Sequence, residues 1–139
     1  MFCFPTLLKK SSLLKDFDFE YIFGTLGVRW LHTGGIYAAL WELAEKTGVG
    51  LTVDLKKIPI RQETIEVCEY FGISPYELLS GGALLMITED GEGLVQTLAS
   101  AHIPATVIGK ITDNNDRVVI NEDEKRFLER PKSDEFFKI

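Results

Sequence analysis

The stretch Leu31-His32-Thr33-Gly34-Gly35-Ile36, running on through residues 37–48, constrains the fold of this chain more than any other. From Ile36 the apolar residues fall at Ile36, Ala39, Leu40, Leu43 and Ala44, the stripe of an amphipathic helix that buries one face. Val28, Trp30 and Leu31 ahead of it read as a short extended run. Thr33-Gly34-Gly35 then supplies a capping hydroxyl and two residues that let backbone approach closely. A strand therefore feeds a glycine turn that opens a helix, and Gly48 closes the helix. The free N–H groups and positive dipole end of such a helix make a seat for an anion. Tight packing alone also accounts for two glycines at a strand-to-helix turn, and a lone His32 beside a turn fits a hydrogen-bonding role as well as a chemical one.

The rest of the chain alternates strands and helices. Leu51, Val53 and Leu55 alternate with Thr52 and Asp54, the period of a half-buried strand. Residues 61–71 read as a second helix closed by Gly72, with Cys68 on its apolar side. Ser74-Pro75-Tyr76-Glu77 has a capping serine, a proline at the first position and a glutamate three residues on, which predicts a short helical turn through Leu79. A second glycine turn, Ser80-Gly81-Gly82, leads into an apolar run at 83–88 that suits a central strand. Leu94, Val95, Leu98 and Ala99 mark a third helix, ended near His102 by Pro104. A strand at 105–111, a turn at 113–116, a strand at 117–120, a turn at 122–124 and a short strand around 126–128 complete the pattern. This order predicts one mixed sheet with helices packed on it.

Composition narrows the function. A net charge of -6 and a pI near 4.9 disfavour a nucleic-acid surface, and Lys9-Lys10 and Lys56-Lys57 are isolated pairs rather than a phosphate track. Cys3 and Cys68 have no metal or disulfide spacing, which suits a reducing compartment, and no metal site is expected. The apolar opening at 1–8 is short, is broken by Pro5 and lacks a basic start, so neither a signal peptide nor a membrane span is expected, and a cytoplasmic location is. Residues 1–23 are dense in aromatics (Phe17, Phe19, Tyr21, Phe23) and are expected to dock on the domain's own sheet or on a surface that another domain would occupy.

Several strings resemble a known family. Residues 39–50, Ile58-Pro59-Ile60-Arg61, residues 66–75, residues 107–111 and residues 127–135, in that order, resemble the C-terminal domain of the aminoimidazole ribonucleotide (AIR) synthase superfamily, nearest to its HypE branch of hydrogenase maturation proteins. The resemblance implies a PurM C-terminal-domain-like α/β (α+β) fold: a three-layer α/β/α sandwich on a mixed sheet of partly ferredoxin-like topology. It divides the chain into an N-terminal extension, 1–26, and the family domain, 27–139. Family members use ATP and Mg2+ to activate an oxygen of an amide-like substrate, in the HypE branch dehydrating a carbamoyl group. The resemblance further implies that His32, Thr33, Gly34 and Gly35, with Ser80, Gly81 and Gly82, line the cleft facing an N-terminal ATP-binding domain.

The chain departs from the branch in three ways. The ATP-binding domain has no counterpart here, so no cofactor is expected on this chain alone. The branch loop reads His-Asp-x-Thr-x-Gly-Gly, whereas His32-Thr33-Gly34-Gly35 is shorter and lacks the acidic residue. The branch ends in a cysteine that carries the thiocarboxamide, whereas the last residue here is Ile139. The chain alone is therefore expected to be inactive. The partners implied are an ATP-binding domain or separate chain, a second copy of the chain, and hydrogenase maturation proteins, with no nucleic acid or membrane. The alternatives are a non-catalytic small-molecule or protein-binding module that keeps the fold, and part of a purine-biosynthesis cyclo-ligase.

Overall fold

A computed structural model describes residues 2–5, 27–79 and 83–138. The aromatic segment expected to dock, including Phe17, Phe19, Tyr21 and Phe23, lies outside the described residues. In chain order the elements are β1 (Phe2–Pro5), β2 (Gly27–Trp30), α1 (Gly35–Thr47), β3 (Gly50–Asp54), α2 (Gln62–Phe71), β4 (Leu84–Ile87), α3 (Gly91–Ser100), β5 (Ala105–Thr112), β6 (Arg117–Asn121) and β7 (Glu124–Phe127). Single 3-10 turns follow at Leu55–Lys57 and Glu135–Lys138.

Seven strands form one sheet in the order β2-β4-β1-β5-β3-β6-β7, with β3 and β6 parallel and every other pair antiparallel. The mixed sheet is as expected. Its order has a feature that the succession of strands hides: β5 and β6 are not neighbours, because β3 lies between them. Residues 113–116 therefore carry the chain across β3 instead of closing a hairpin. The Asn114 side chain holds this crossing by accepting from the Thr112 hydroxyl (2.7 Å) and the Asp116 N–H (3.1 Å), and the Asp116 carbonyl accepts from the Leu51 N–H at 2.8 Å. The hairpin is β6–β7, with Glu122 in the left-handed region at φ 58°. Phe2–Pro5 is an interior strand, paired with both β4 and β5.

β4 shows why the domain has three layers. All four of its residues are buried, and they alternate between two cores. Leu85 and Ile87 join Ile36, Ala39, Leu40, Leu43 and Ala44 of α1 together with Leu51, Val53 and Ile108. Leu84 and Met86 join Leu94 and Leu98 of α3. A strand covered on both faces reads as a continuous apolar run, as residues 83–88 do. Two ion pairs, Arg29 with Glu42 and Arg117 with Glu45, tie α1 to β2 and β6, and the Arg117 guanidinium also lies 4.3 Å above the Trp41 ring. Cys68 is buried on α2, and burial raises its thiol pKa, as for a small core residue.

Leu85 is wholly buried at the junction of the sheet and α1. Leu85→Ala should cost about 2–5 kcal/mol of unfolding free energy in urea titration, whereas truncating the exposed Phe127 should cost less than about 1 kcal/mol.

Candidate functional site

The first glycine turn is held from the far end of the chain. Gly34 is the N-cap of α1, in the left-handed region at φ 86°, with no side-chain cap. The expected Thr33 hydroxyl cap is thus replaced. The Gly34 N–H donates to Oδ2 of Asp134, a hundred residues away. Asp134 Oδ1 accepts from the Leu79 N–H at 3.1 Å and the Phe136 N–H at 2.7 Å. The seat for an anion at this helix start therefore exists, but the protein's own carboxylate fills it. A further first-turn donor, the Tyr37 N–H, goes to the Tyr76 carbonyl at 3.1 Å.

Gly35 explains why the segment after α2 comes so near. It has φ +64°, and a Cβ there would sit 2.5 Å from the Leu78 carbonyl oxygen and 2.6 Å from that of Tyr76. Residues 74–79 form turns rather than the expected helical turn through Leu79, since their backbone groups bond outward: Tyr76 to α1, Leu79 to Asp134, and the Glu77 carbonyl to the Glu135 N–H at 3.3 Å. Glu135, also buried, accepts from the Ser74 N–H at 3.4 Å and pairs with Lys138, which raises the Lys138 pKa above the ordinary lysine value.

Of the residues singled out in the sequence, His32 and Thr33 are exposed, and the His32 carbonyl accepts from the Gly35 N–H at 3.2 Å. Gly34 and Gly35 pack as described. Ser80, Gly81 and Gly82 lie outside the described residues, and the residues on either side of them, Leu79 and Ala83, are both hydrogen-bonded. Leu79 shares Asp134 with Gly34, and the Ala83 carbonyl accepts from the Leu31 N–H at 3.0 Å.

A cavity of about 250 Å³ opens next to Gly34. Tyr37, Glu77, Arg126, Leu128 and Lys132 are among the side chains around it. The Tyr37 and Tyr76 rings stack at 5.4 Å, and burial, with Tyr76 and Glu77 close by, pushes the Tyr37 phenol from 10.0 up to about 12. It is thus a neutral hydrogen-bond donor across the physiological range. The Gly34, Gly35 and Tyr37 N–H groups at the start of α1 are bonded within the protein, and among the described residues no group of three His, Cys, Asp or Glu side chains could hold a metal ion. Sequence reasoning passed over Asp134, Tyr37 and Tyr76. The one signal for Asp134 was an acidic pair, Asp134-Glu135, next to Phe136-Phe137.

The chain belongs to the AIR synthase-related protein family, C-terminal domain, whose model matches residues 33–121. It is 29% identical over 121 residues to phosphoribosylformylglycinamidine synthase subunit PurL of Methanothermobacter thermautotrophicus, covering 84% of this chain and 16% of that protein. It is 31% identical over 91 residues to carbamoyl dehydratase HypE of Rhodobacter capsulatus, covering 63% of this chain and 27% of that one. Its fold matches a crystal structure of the hydrogenase maturation protein HypE in complex with ATP at a TM-score of 0.73 and 16% identity, over 96% of this chain and 51% of that one. The chain thus spans about a quarter or less of the length of these two relatives. The PurM C-terminal-like fold and the likeness to HypE are as the sequence resemblance implied. No helix among the described residues is long and apolar enough to cross a membrane.

Two outcomes test this geometry. Gly35→Ala should destabilise by more than about 2 kcal/mol, since left-handed strain adds to collision with two carbonyl groups, whereas Gly48→Ala, at φ +69° with open space around it, should cost only about 1 kcal/mol. The raised Tyr37 pKa stabilises the fold fully below pH 10, and that contribution is lost as pH rises from 10 through about 12. In a spectrophotometric titration of the four tyrosines, a late-titrating phenol should therefore disappear in Tyr37→Phe.

Proposed function

We propose that this chain supplies the C-terminal-domain side of an ATP-dependent, HypE-like site and is inactive without a nucleotide-loading half. In this reading His32, Thr33, Gly34 and Gly35, with Ser80, Gly81 and Gly82, line the cleft that faces that half. The observation that carries it is that the first glycine turn and the residues flanking Ser80-Gly81-Gly82 share their supports: Gly34 and Leu79 donate to one carboxylate, and Leu31 donates to the Ala83 carbonyl. The cavity of about 250 Å³ beside Gly34 supports the reading through its position against the first glycine turn.

The nucleotide and its magnesium belong, in this proposal, to the other half, whether an N-terminal domain or a separate chain. Residues 27–139 are the functional unit, with 1–26 an extension, and the setting is cytoplasmic, alongside hydrogenase maturation proteins and a second copy of the chain. The neutral Tyr37 phenol and the Arg126 guanidinium are among the polar groups this chain offers to an amide-like substrate.

A second reading is a binding module that keeps the fold without the chemistry. It is favoured by Asp134 filling the anion seat and by Thr33 standing directly after His32, where the branch has an acidic residue. The longer alignment with PurL keeps a purine-pathway role as a third reading.

Calorimetric titration with ATP and Mg2+ separates the first two. The chain alone should give no binding heat, and adding an N-terminal-domain protein of the HypE type should restore it. Binding by the isolated chain overturns the proposal, and silence in both cases favours the second reading.

A further inference from the structure

Asp134 and Glu135 are 2% and 6% exposed, an unusual place for two adjacent carboxylates. Burying a charge is unfavourable unless fixed donors replace its water, and here the donors come from the backbone. Asp134 takes the N–H groups of Gly34, Leu79 and Phe136, and Glu135 takes that of Ser74 and the ammonium of Lys138. The Phe137 N–H donates to the Asp134 carbonyl at 3.2 Å, which closes the segment into a compact turn.

The geometry points to residues 133–138 as a strap, with Asp134 as the positioning residue that sets the first glycine turn in register with Leu79 at the end of residues 74–79. Its two carboxylate oxygens divide the work. Oδ2 holds the start of α1, and Oδ1 holds Leu79. Movement of the first glycine turn relative to Leu79 must break a hydrogen bond to the same charged group, so the two are placed together by residues 133–138. Glu135 anchors the strap through a different point, Ser74, and does not touch the glycine turn. With the strap released, the Gly34 and Leu79 N–H groups return to water, and the Tyr37–Tyr76 hydrogen bond and ring stack are left to join the α1 start to residues 76–79.

The inference rests on the proposed function only for what the placed turn serves, and its test contains no nucleotide, so the two can fail separately. Amide hydrogen exchange is followed by NMR on the full chain, its Asp134→Ala and Asp134→Asn variants, and Glu135→Gln. In Asp134→Ala, exchange at Gly34 and Leu79 should quicken by roughly tenfold or more while Leu85 and Ile108 in the sheet stay within about threefold. Asp134→Asn, which keeps one acceptor oxygen, should show a smaller change at the same amides. Glu135→Gln should loosen Ser74 and leave Gly34 unchanged. Unaltered protection of Gly34 and Leu79 overturns the proposal. So does uniform acceleration that includes Leu85 and Ile108, which would make Asp134 a support of global stability. If Asp134→Ala does not fold, the pattern in Asp134→Asn decides between these outcomes.

Discussion

The site depends on one buried carboxylate held by backbone N–H groups. Helix α1 begins with donors that have no partner within the helix, and a positive dipole end. A local serine or threonine cap would satisfy them and leave the turn independent of the rest of the molecule. Here the satisfying group is Asp134, so helix start, Leu79 and C-terminal segment are fixed by a single anion. Backbone donors suit this role, because they carry no side-chain rotamer entropy to lose when they order around the charge. Gly35 completes the interlock. Any side chain there would push away the carbonyl groups of Tyr76 and Leu78 and with them the segment that Asp134 binds.

The sheet delivers these parts to one place. β2 ends at Trp30 and β4 begins at Leu84, directly opposite in the register, so Leu31 and Ala83, which bond to each other, sit at the same end of the sheet. α1 and α3 cover opposite faces of the sheet. The same architecture is shared with a crystal structure of HypE in complex with ATP.

Much of this was legible in the residues. The stripe from Ile36 to Ala44 gave α1 and its buried face, and the run at 83–88 gave a strand covered on both sides. The family strings gave the layer order, which agrees with the structural matches. What could not be read was anything decided by distant chain. Thr33 has the chemistry of a cap, but Gly34 takes the position because a left-handed residue is needed to turn the chain and because Asp134 already serves the donor. Asp134 and Glu135 look like solvated charges in a polar tail, and only the N–H groups of Gly34, Leu79 and Ser74 make their burial tolerable. Asn114 and its neighbours have the composition of a local turn whether the following strand pairs with β5 or, as here, leaves room for β3. Phe2–Pro5 gave no strand signal, since four residues ending in proline acquire extended structure only from the partners that flank them.

That last strand has a consequence for biosynthesis. Phe2 is opposite Ile87 on one side and Gly109 on the other, so its partners leave the ribosome long after it does. Until then the nascent chain holds an apolar segment with nowhere to pair, and the local β6–β7 hairpin has yet to be made. Contacts of such long sequence separation slow the final closure and lengthen the interval in which unpaired edges meet other chains. The middle of this sheet thus cannot close until β5 has been made, and part of the protein's exposure to aggregation falls during translation.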